Sequence, residues 1–261
     1  MKELFRIRGE LPKKTLLTIE VIGLCLILTG WHLLCMTGWV NKGILPYPTS
    51  VVQSFPELWF ENALFFNTTH SLKLNVLGYL EAVAIAVPLG MVIGLLPIMR
   101  ALSGRYIDAL RFLPLTAVTG LFIAGFGIDD NMKIQFLAFG IGIYLLPTAV
   151  SRVLGVEEVY QQTAYTMGAT KWQMVRSVFI PAVWSRIFDD IRVLVAISWT
   201  YIIVAEMLNS TGGVGSSCYL FARQGRYDKV FGIIIVILLV GIVQDKILLW
   251  LDRKLFPFKY A

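Results

Sequence analysis

The chain has 261 residues, of which 57% are hydrophobic and 15% charged, and its mean hydropathy is +0.71. A soluble domain does not carry so large an apolar share, so this composition is typical of a membrane protein. The net charge of +6 would favour nucleic acid as the partner of a soluble protein. Here the basic residues flank hydrophobic segments, which indicates orientation in lipid and no nucleic-acid partner.

Six apolar segments are long enough to cross a bilayer, which takes ~20 residues each. We therefore predict an all-α, polytopic membrane protein with about six transmembrane helices. Residues 1–15 form a basic amino-terminal segment, and residues 16–261 form one membrane domain whose first span is retained rather than cleaved as a signal peptide. The predicted spans are residues 16–36, 72–98, 112–128, 132–150, 191–208 and 230–251.

Basic residues orient the spans. With both termini in the cytoplasm, 17 of the 23 Lys and Arg residues lie on the cytoplasmic side and 6 on the other. This bias follows the positive-inside rule, so we predict a multi-pass protein of the inner or plasma membrane with both termini cytoplasmic.

Two segments are predicted on the outer side. The sequence after Pro48 predicts a short helix that runs to Phe60 and lies at the membrane interface. Residues 209–229 contain Gly212 and Gly213, which predicts a flexible loop. Arg223 and Arg226 in this loop either meet a binding protein or an anion, or are simply solvated.

Three residues within the spans are candidates for a solute pathway. Glu81 is a carboxylate in the second span, where it either serves function or is satisfied by a neighbouring helix. Trp199 and Glu206 share a helical stripe with Arg192 in the fifth span, at spacings of seven residues. This stripe lines either the pathway or a subunit interface.

The most polar internal segment is residues 157–182, EEVYQQTAYTMGATKWQMVRSVFIPA. It predicts an amphipathic turn, a break at Gly168, and a second amphipathic turn that ends at Pro181. So elaborate a helix pair outside the bilayer indicates a surface offered to a soluble partner. The chain has no phosphate-binding GxxxxGK[ST] motif and no GxSxG or HExxH motif, so we predict no enzyme activity, no cofactor, and ATP binding on another chain if ATP drives the process.

The same segment resembles the cytoplasmic coupling loop of ATP-binding cassette importer permeases. Gln162 stands at the position of the family's glutamate and Thr163 at that of its first alanine. The positions that fit the loop are Ala164, Gly168 with the adjoining Ala169, Val178, Ile180 and Pro181. In the family this loop forms a short helix that docks into a groove of the ATPase subunit. An ordinary helix pair with a glycine cap is the alternative.

Further matches resemble the permeases for nitrate, sulfonate, taurine and bicarbonate. They are Leu45-Pro46-x-Pro48, Val87-Pro88-Leu89-Gly90, Leu113-Pro114-Leu115-Thr116-Ala117 and Leu251-Asp252-Arg253 with Phe256-Pro257. The resemblance implies a permease homodimer, two cytoplasmic ATP-binding subunits and an extracytoplasmic solute-binding protein. It implies a small oxyanion or organic sulfonate as the solute, although the same family includes permeases for vitamin precursors.

Two other classes of function are weighed against this one. A self-sufficient secondary carrier or channel would transport without an ATPase, and the elaborate cytoplasmic loop disfavours it. An intramembrane enzyme would need clustered catalytic side chains inside the spans, and Glu81 is the main candidate there.

Overall fold

A computed structural model of the chain describes residues 11–41, 43–208 and 212–260. Most of the predicted basic amino-terminal segment, and residues 209–211 of the predicted loop, lie outside these ranges. The chain divides into two compact units, one of Met1–Asn62 with Leu220–Gly232, and one of Ala63–Tyr219 with Ile233–Ala261.

The described residues form helices and turns, without a strand. The α-helices are α1 (Lys13–Thr37), α2 (Pro48–Phe60), α3 (Leu64–Leu95), α4 (Pro97–Leu110), α5 (Thr119–Phe126), α6 (Asp130–Leu154), α7 (Glu158–Thr166), α8 (Lys171–Met174), α9 (Ile180–Leu208), α10 (Val214–Arg223) and α11 (Tyr227–Leu255). Short 3-10 turns cover Leu115–Val118 and Pro257–Lys259, and a π-helical turn covers Val175–Phe179.

The predicted fold class, all-α with about six spans, is confirmed. Five helices among the described residues are long and apolar enough to cross a membrane: α1, α3, α6, α11 and the continuous stretch Lys171–Leu208. The third predicted span, over residues 112–128, is not one continuous helix, and together with α4 it counts as a sixth span only as a bent pair. That region holds a 3-10 turn and the eight-residue α5, and α4 meets this pair at a bend of 98°. Pro114 explains the break, because its ring keeps the preceding residue out of helical geometry.

In the larger unit, α3 packs closely along α6. A Cβ atom placed on Gly90 would lie 2.5 Å from the Cβ of Ala149, and one on Gly94 would lie 2.6 Å from the Cβ of Val153. The two backbones therefore approach to a distance that a side chain at either glycine would prevent. α6 also packs against α9 and α5.

In the smaller unit, the predicted helix from Pro48 to Phe60 is confirmed as α2, with Pro48 in its first turn. The Trp31 indole of α1 donates to the Pro46 carbonyl at 3.0 Å, just before α2 begins. α1 and α2 are thereby tied together within this unit.

The prediction of a flexible loop over residues 209–229 is wrong for most of its length, because Val214–Arg223 forms α10 and α11 begins at Tyr227. The apolar residues Val214, Cys218 and Phe221 recur at helical spacing after the glycines, and this pattern outweighs the glycine-rich start.

Candidate functional site

The turn at Gly168 is built by the backbone. Gly168 has φ +77°, its N–H donates to the Tyr165 carbonyl at 2.9 Å, and the Ala169 N–H donates to the Ala164 carbonyl at 3.0 Å. These two bonds form a Schellman motif, which closes α7 and satisfies carbonyls that would otherwise lack partners. The left-handed backbone favours glycine at this position. A collision is not the reason, since a Cβ placed here would meet nothing within 4 Å.

The second helix starts at Lys171, and Thr170, which follows Ala169, is its N-cap. The Thr170 hydroxyl accepts from the Gln173 N–H at 3.3 Å and the Gln173 side chain accepts from the Thr170 N–H at 2.8 Å, which is a reciprocal capping box. Schellman motif and capping box follow each other directly, so the direction of the chain at this turn is fixed from both sides.

The sequence predicts that the second helix ends at Pro181, and this prediction is wrong. The helix continues to Leu208. Pro181 cannot donate a hydrogen bond to the Ser177 carbonyl. The helix accommodates this through the π-helical turn, in which the Ile180 N–H donates to the Val175 carbonyl. The Gly168 turn is therefore continuous with a membrane span.

A groove of about 830 Å³ lies beside the Gly168 turn. One face of α7, including Tyr160, Thr163 and Ala164, forms one side of it. Residues of the second helix and the carboxyl-terminal Phe258 complete the wall. Met167 is 82% exposed at its rim and Phe258 is 62% exposed, and α7 has no buried residue at all. The groove is therefore a solvent-accessible surface that is apolar for the most part and includes the polar side chains of Gln173 and Arg186.

The predicted coupling residues gather around this turn. Gln162 is exposed and donates to Glu158 of α7 at 3.3 Å, outside the groove lining. Four others line the groove: Thr163, Ala164, Gly168 and Ala169. At the start of α9, Pro181 lines the groove, while Ile180 is half-buried and lies outside the lining.

Ion pairs hold this region to the ends of the membrane helices. Arg152 of α6 makes a two-pronged contact with Asp190 of α9, with both N–O distances 2.7 Å. Arg186 of α9 donates to the Gly155 carbonyl at 2.5 Å. The bidentate geometry gives the strongest form of carboxylate pairing, so α6 and α9 are locked together next to the groove.

The carboxyl-terminal turn is fixed by Lys259. Its ammonium donates to the Asp189 carboxylate at 2.6 Å, to the Asp252 carboxylate at 3.0 Å and to the Ser185 carbonyl at 3.2 Å. Partial burial opposes the charge, but the two carboxylates outweigh it and raise the pKa of Lys259. Tyr260 also donates to Asp252. These bonds position the neighbouring Phe258 in the groove.

Glu206 is fully buried at the far end of α9. It accepts from the Ser71 hydroxyl of α3 at 2.6 Å and from the Gly215 N–H at 2.8 Å. Ser71 in turn accepts from the Val214 N–H at 2.9 Å. The carboxylate therefore joins α3, α9 and the start of α10.

The other members of the stripe on α9 face α11. Trp199 is 6% exposed and its indole donates to Gln244 at 2.9 Å. Arg192 pairs with Asp245 through both carboxylate oxygens, at 2.9 and 3.1 Å. All three stripe residues thus contact other helices of the same chain.

Glu81 is half-buried and accepts from Gln135 of α6 at 3.0 Å. It lines a cavity of about 370 Å³ whose walls come from α3, α4, α5 and α6. Neither Glu206 nor Trp199 lines this cavity; Glu206 bonds to Ser71 and Trp199 to Gln244 instead.

In the smaller unit, Arg226 is held by carboxylates on two sides. It donates to Glu57 at 2.8 Å and to Asp228 at 2.9 Å. Lys229 donates to Glu57 at 2.5 Å. The hydrogen bonds from Arg226 first, and from Lys229 second, lower the pKa of Glu57 from 4.5 to about 2. The sequence analysis left Arg226 either as a contact for a binding protein or an anion, or as a solvated side chain. Its guanidinium is paired with Glu57 and Asp228, so it is not simply solvated.

Sequence reasoning missed several residues of these sites. Phe258 and Lys259 come from the end of the chain, and Gln135 and Gln244 are amides that complete carboxylate and indole contacts. Polar residues inside an apolar span were the available signal for the two glutamines.

Comparison with known proteins identifies the family. Residues 86–257 match the family described as Binding-protein-dependent transport system inner membrane component. The chain is 30% identical to the aliphatic sulfonates transport permease protein SsuC of Bacillus subtilis, over 89% of this chain and 84% of that protein. It is 25% identical to the taurine transport system permease protein TauC of Escherichia coli, over 97% and 94% of the two chains.

A third relative is the nitrate import permease protein NrtB of Synechococcus elongatus, which is 24% identical over 91% of this chain and 89% of that one. Among solved structures, a chain of the MetNI methionine ABC transporter in inward-facing conformations aligns with a TM-score of 0.65 at 17% identity. That alignment covers 77% of this chain and 98% of the other, which supports a shared fold. The chain therefore belongs to the inner membrane components of binding-protein-dependent transport systems, and it is a permease of the ATP-binding cassette importer type.

Proposed function

We propose that this permease couples to its ATP-binding subunit through the groove beside Gly168. The family supplies ATP-binding subunits and a solute-binding protein as partners. In this proposal two copies of the chain form the solute pathway and two ATP-binding subunits dock on the cytoplasmic side. The chain itself performs no catalysis, because ATP hydrolysis belongs to the docked subunits.

The observation that carries the proposal is the exposed, mostly apolar groove on a rigid support. The Schellman motif and the capping box fix the turn, and Arg152 ties α6 to α9. A wide concavity with a fixed backbone and both apolar and polar side chains is suited to receive a protein partner. Pro181 of the groove belongs to α9, and Trp199 and Glu206 lie further along the same helix. A movement of the docking surface would therefore reach these two residues through α9.

The distribution of basic residues supports an orientation. We propose that both termini and residues 157–182 lie in the cytoplasm, because 17 of the 23 Lys and Arg residues then lie on that side. The opposite side of the membrane is then left for the solute-binding protein.

We propose a small oxyanion or an organic sulfonate as the solute. The named cargo of the three relatives, aliphatic sulfonates, taurine and nitrate, supports this class. A vitamin precursor is the alternative solute of the same type of permease.

The docking proposal is tested by placing one charge inside the groove and another outside it. Thr163 lines the groove and is exposed, so Thr163→Arg fills the docking surface without disturbing a core. Val159 lies on the same helix, is 62% exposed and lies outside the groove lining, so Val159→Arg is the matched control.

Both variants are co-expressed with the ATP-binding subunit and purified in mild detergent. We expect Thr163→Arg to lose the subunit by at least about tenfold, which corresponds to about 1.4 kcal/mol of binding. Val159→Arg is expected to retain it. Equal retention by both variants, or equal loss, would show that the groove is not the docking surface.

A further inference from the structure

The cavity at Glu81 has an unusual lining. It measures about 370 Å³, within the range of roughly 300–1,000 Å³ typical of small-molecule sites. Its walls are apolar except for Glu81 and Gln135. Phe122, Phe126 and Phe139 form one side, with Phe122 lying 5.8 Å from Phe126 and 5.4 Å from Phe139 between ring centroids.

Glu81 is the acidic side chain of this cavity, and no salt bridge to it is formed among the described residues. Gln135 donates one hydrogen bond to Glu81 Oε2 at 3.0 Å, which satisfies part of the carboxyl group and leaves its other oxygen for a ligand. Among the described residues, none that lines the cavity is Lys, Arg or His. A carboxylate within a membrane span is costly unless a cation, a strong donor or water meets it.

Charge and shape together select the ligand. An inorganic oxyanion would be repelled by Glu81 and would find no cationic partner in the cavity. An ammonium group would pair with the carboxylate, and aromatic rings nearby also favour organic cations. The apolar remainder of the walls suits a short carbon chain attached to that ammonium.

We infer that this cavity is a subsite for the ammonium group of an amine-bearing organic solute, held by Glu81 with Gln135 as the positioning residue. This inference rests on the proposed transport of an organic sulfonate and narrows it to aminosulfonates and similar zwitterions. Only the ammonium end of such a solute enters this cavity, because the sulfonate would find no cationic partner among the described residues that line it. Nitrate and other inorganic oxyanions are not ligands of this cavity.

The transport test compares two probes that differ by one amine, taurine and ethanesulfonate. The complete transporter, with its ATP-binding subunit and solute-binding protein, carries Glu81→Gln, which keeps the size of the side chain and removes its charge. Glu20→Gln in α1 is the matched control, since Glu20 is exposed and lies in another span. We expect Glu81→Gln to lower taurine uptake by about tenfold, as for a lost charge-assisted hydrogen bond, and to leave ethanesulfonate uptake within about twofold.

A second measurement does not depend on the solute-binding protein. A hydrophobic carbodiimide is reacted with Glu81 in the purified complex, and the adduct is quantified by mass spectrometry. We expect the N,N,N-trimethyl derivative of taurine at millimolar concentration, whose quaternary ammonium cannot attack the activated carboxyl, to reduce labelling, and ethanesulfonate to leave it unchanged.

The two measurements separate the possible failures. Loss of both uptakes to the same degree, or equal labelling with and without the amine, would overturn the ammonium subsite. A failure of the docking proposal would instead appear as an ATP-binding subunit insensitive to Thr163→Arg, and the labelling result would still stand on its own.

Discussion

Gly168→Ala is expected to weaken the coupling turn through backbone strain alone. Gly168 has φ +77°, and the added Cβ would meet nothing within 4 Å, so no collision contributes. A left-handed conformation costs a residue with a Cβ roughly 1–2 kcal/mol. Asparagine adopts this conformation more readily, so Gly168→Asn should be affected less.

Hydrogen exchange of the amides in the turn measures this cost. The N–H groups of Gly168 and Ala169 are protected by the two Schellman bonds, so a cost of 1–2 kcal/mol lowers their protection by roughly 5- to 30-fold. Gly104→Ala is the control, because this glycine lies inside α4, outside the residues with positive φ, and gains helix propensity. Unchanged protection in Gly168→Ala, or equal loss in the alanine and asparagine variants, would refute the reasoning.

Three other expectations concern packing, the chain end and pH. Gly90→Ala should lower the thermal unfolding temperature in detergent, because the new Cβ would lie 2.5 Å from the Cβ of Ala149. Such overpacking typically costs about 1–3 kcal/mol, and the second substitution Ala149→Gly should restore the unfolding temperature. Lys259→Met should release the carboxyl-terminal turn and reduce co-purification of the ATP-binding subunit, and it should also lower the unfolding temperature, because the buried Asp252 loses its cation; full retention of the subunit would contradict the positioning role. Glu57 has its pKa lowered to about 2, so its contribution to stability is present above pH 4.5 and is lost as the pH falls toward 2. In pH-dependent unfolding, Glu57→Gln should lack this loss.

Local signals in the sequence predicted local structure well. Gly168 marks the left-handed residue at the end of α7, and Pro48 marks the first turn of α2. These features depend on neighbouring residues alone, which is why the sequence contains them.

Features that depend on distant residues could not be predicted in this way. Glu206 contacts Ser71, which is 135 positions away, and Phe258 reaches a groove formed around residue 168. The part of the third span that lies before Pro114 could not be predicted either, because a hydropathy window sums apolar residues and does not give the direction of a bend. Pairing across the fold is decided by packing, and a single sequence does not reveal it.

The uninterrupted helix from Lys171 to Leu208 sets the height at which the Gly168 turn stands above the lipid. Its 38 residues span about 57 Å at 1.5 Å per residue, whereas the hydrocarbon core is about 30 Å thick. Up to about half of its length is therefore a stalk outside the hydrocarbon. Inserting one residue into that stalk would rotate the groove by about 100° around the helix axis and raise it by about 1.5 Å. The length of the stalk therefore sets the direction from which a soluble partner must approach.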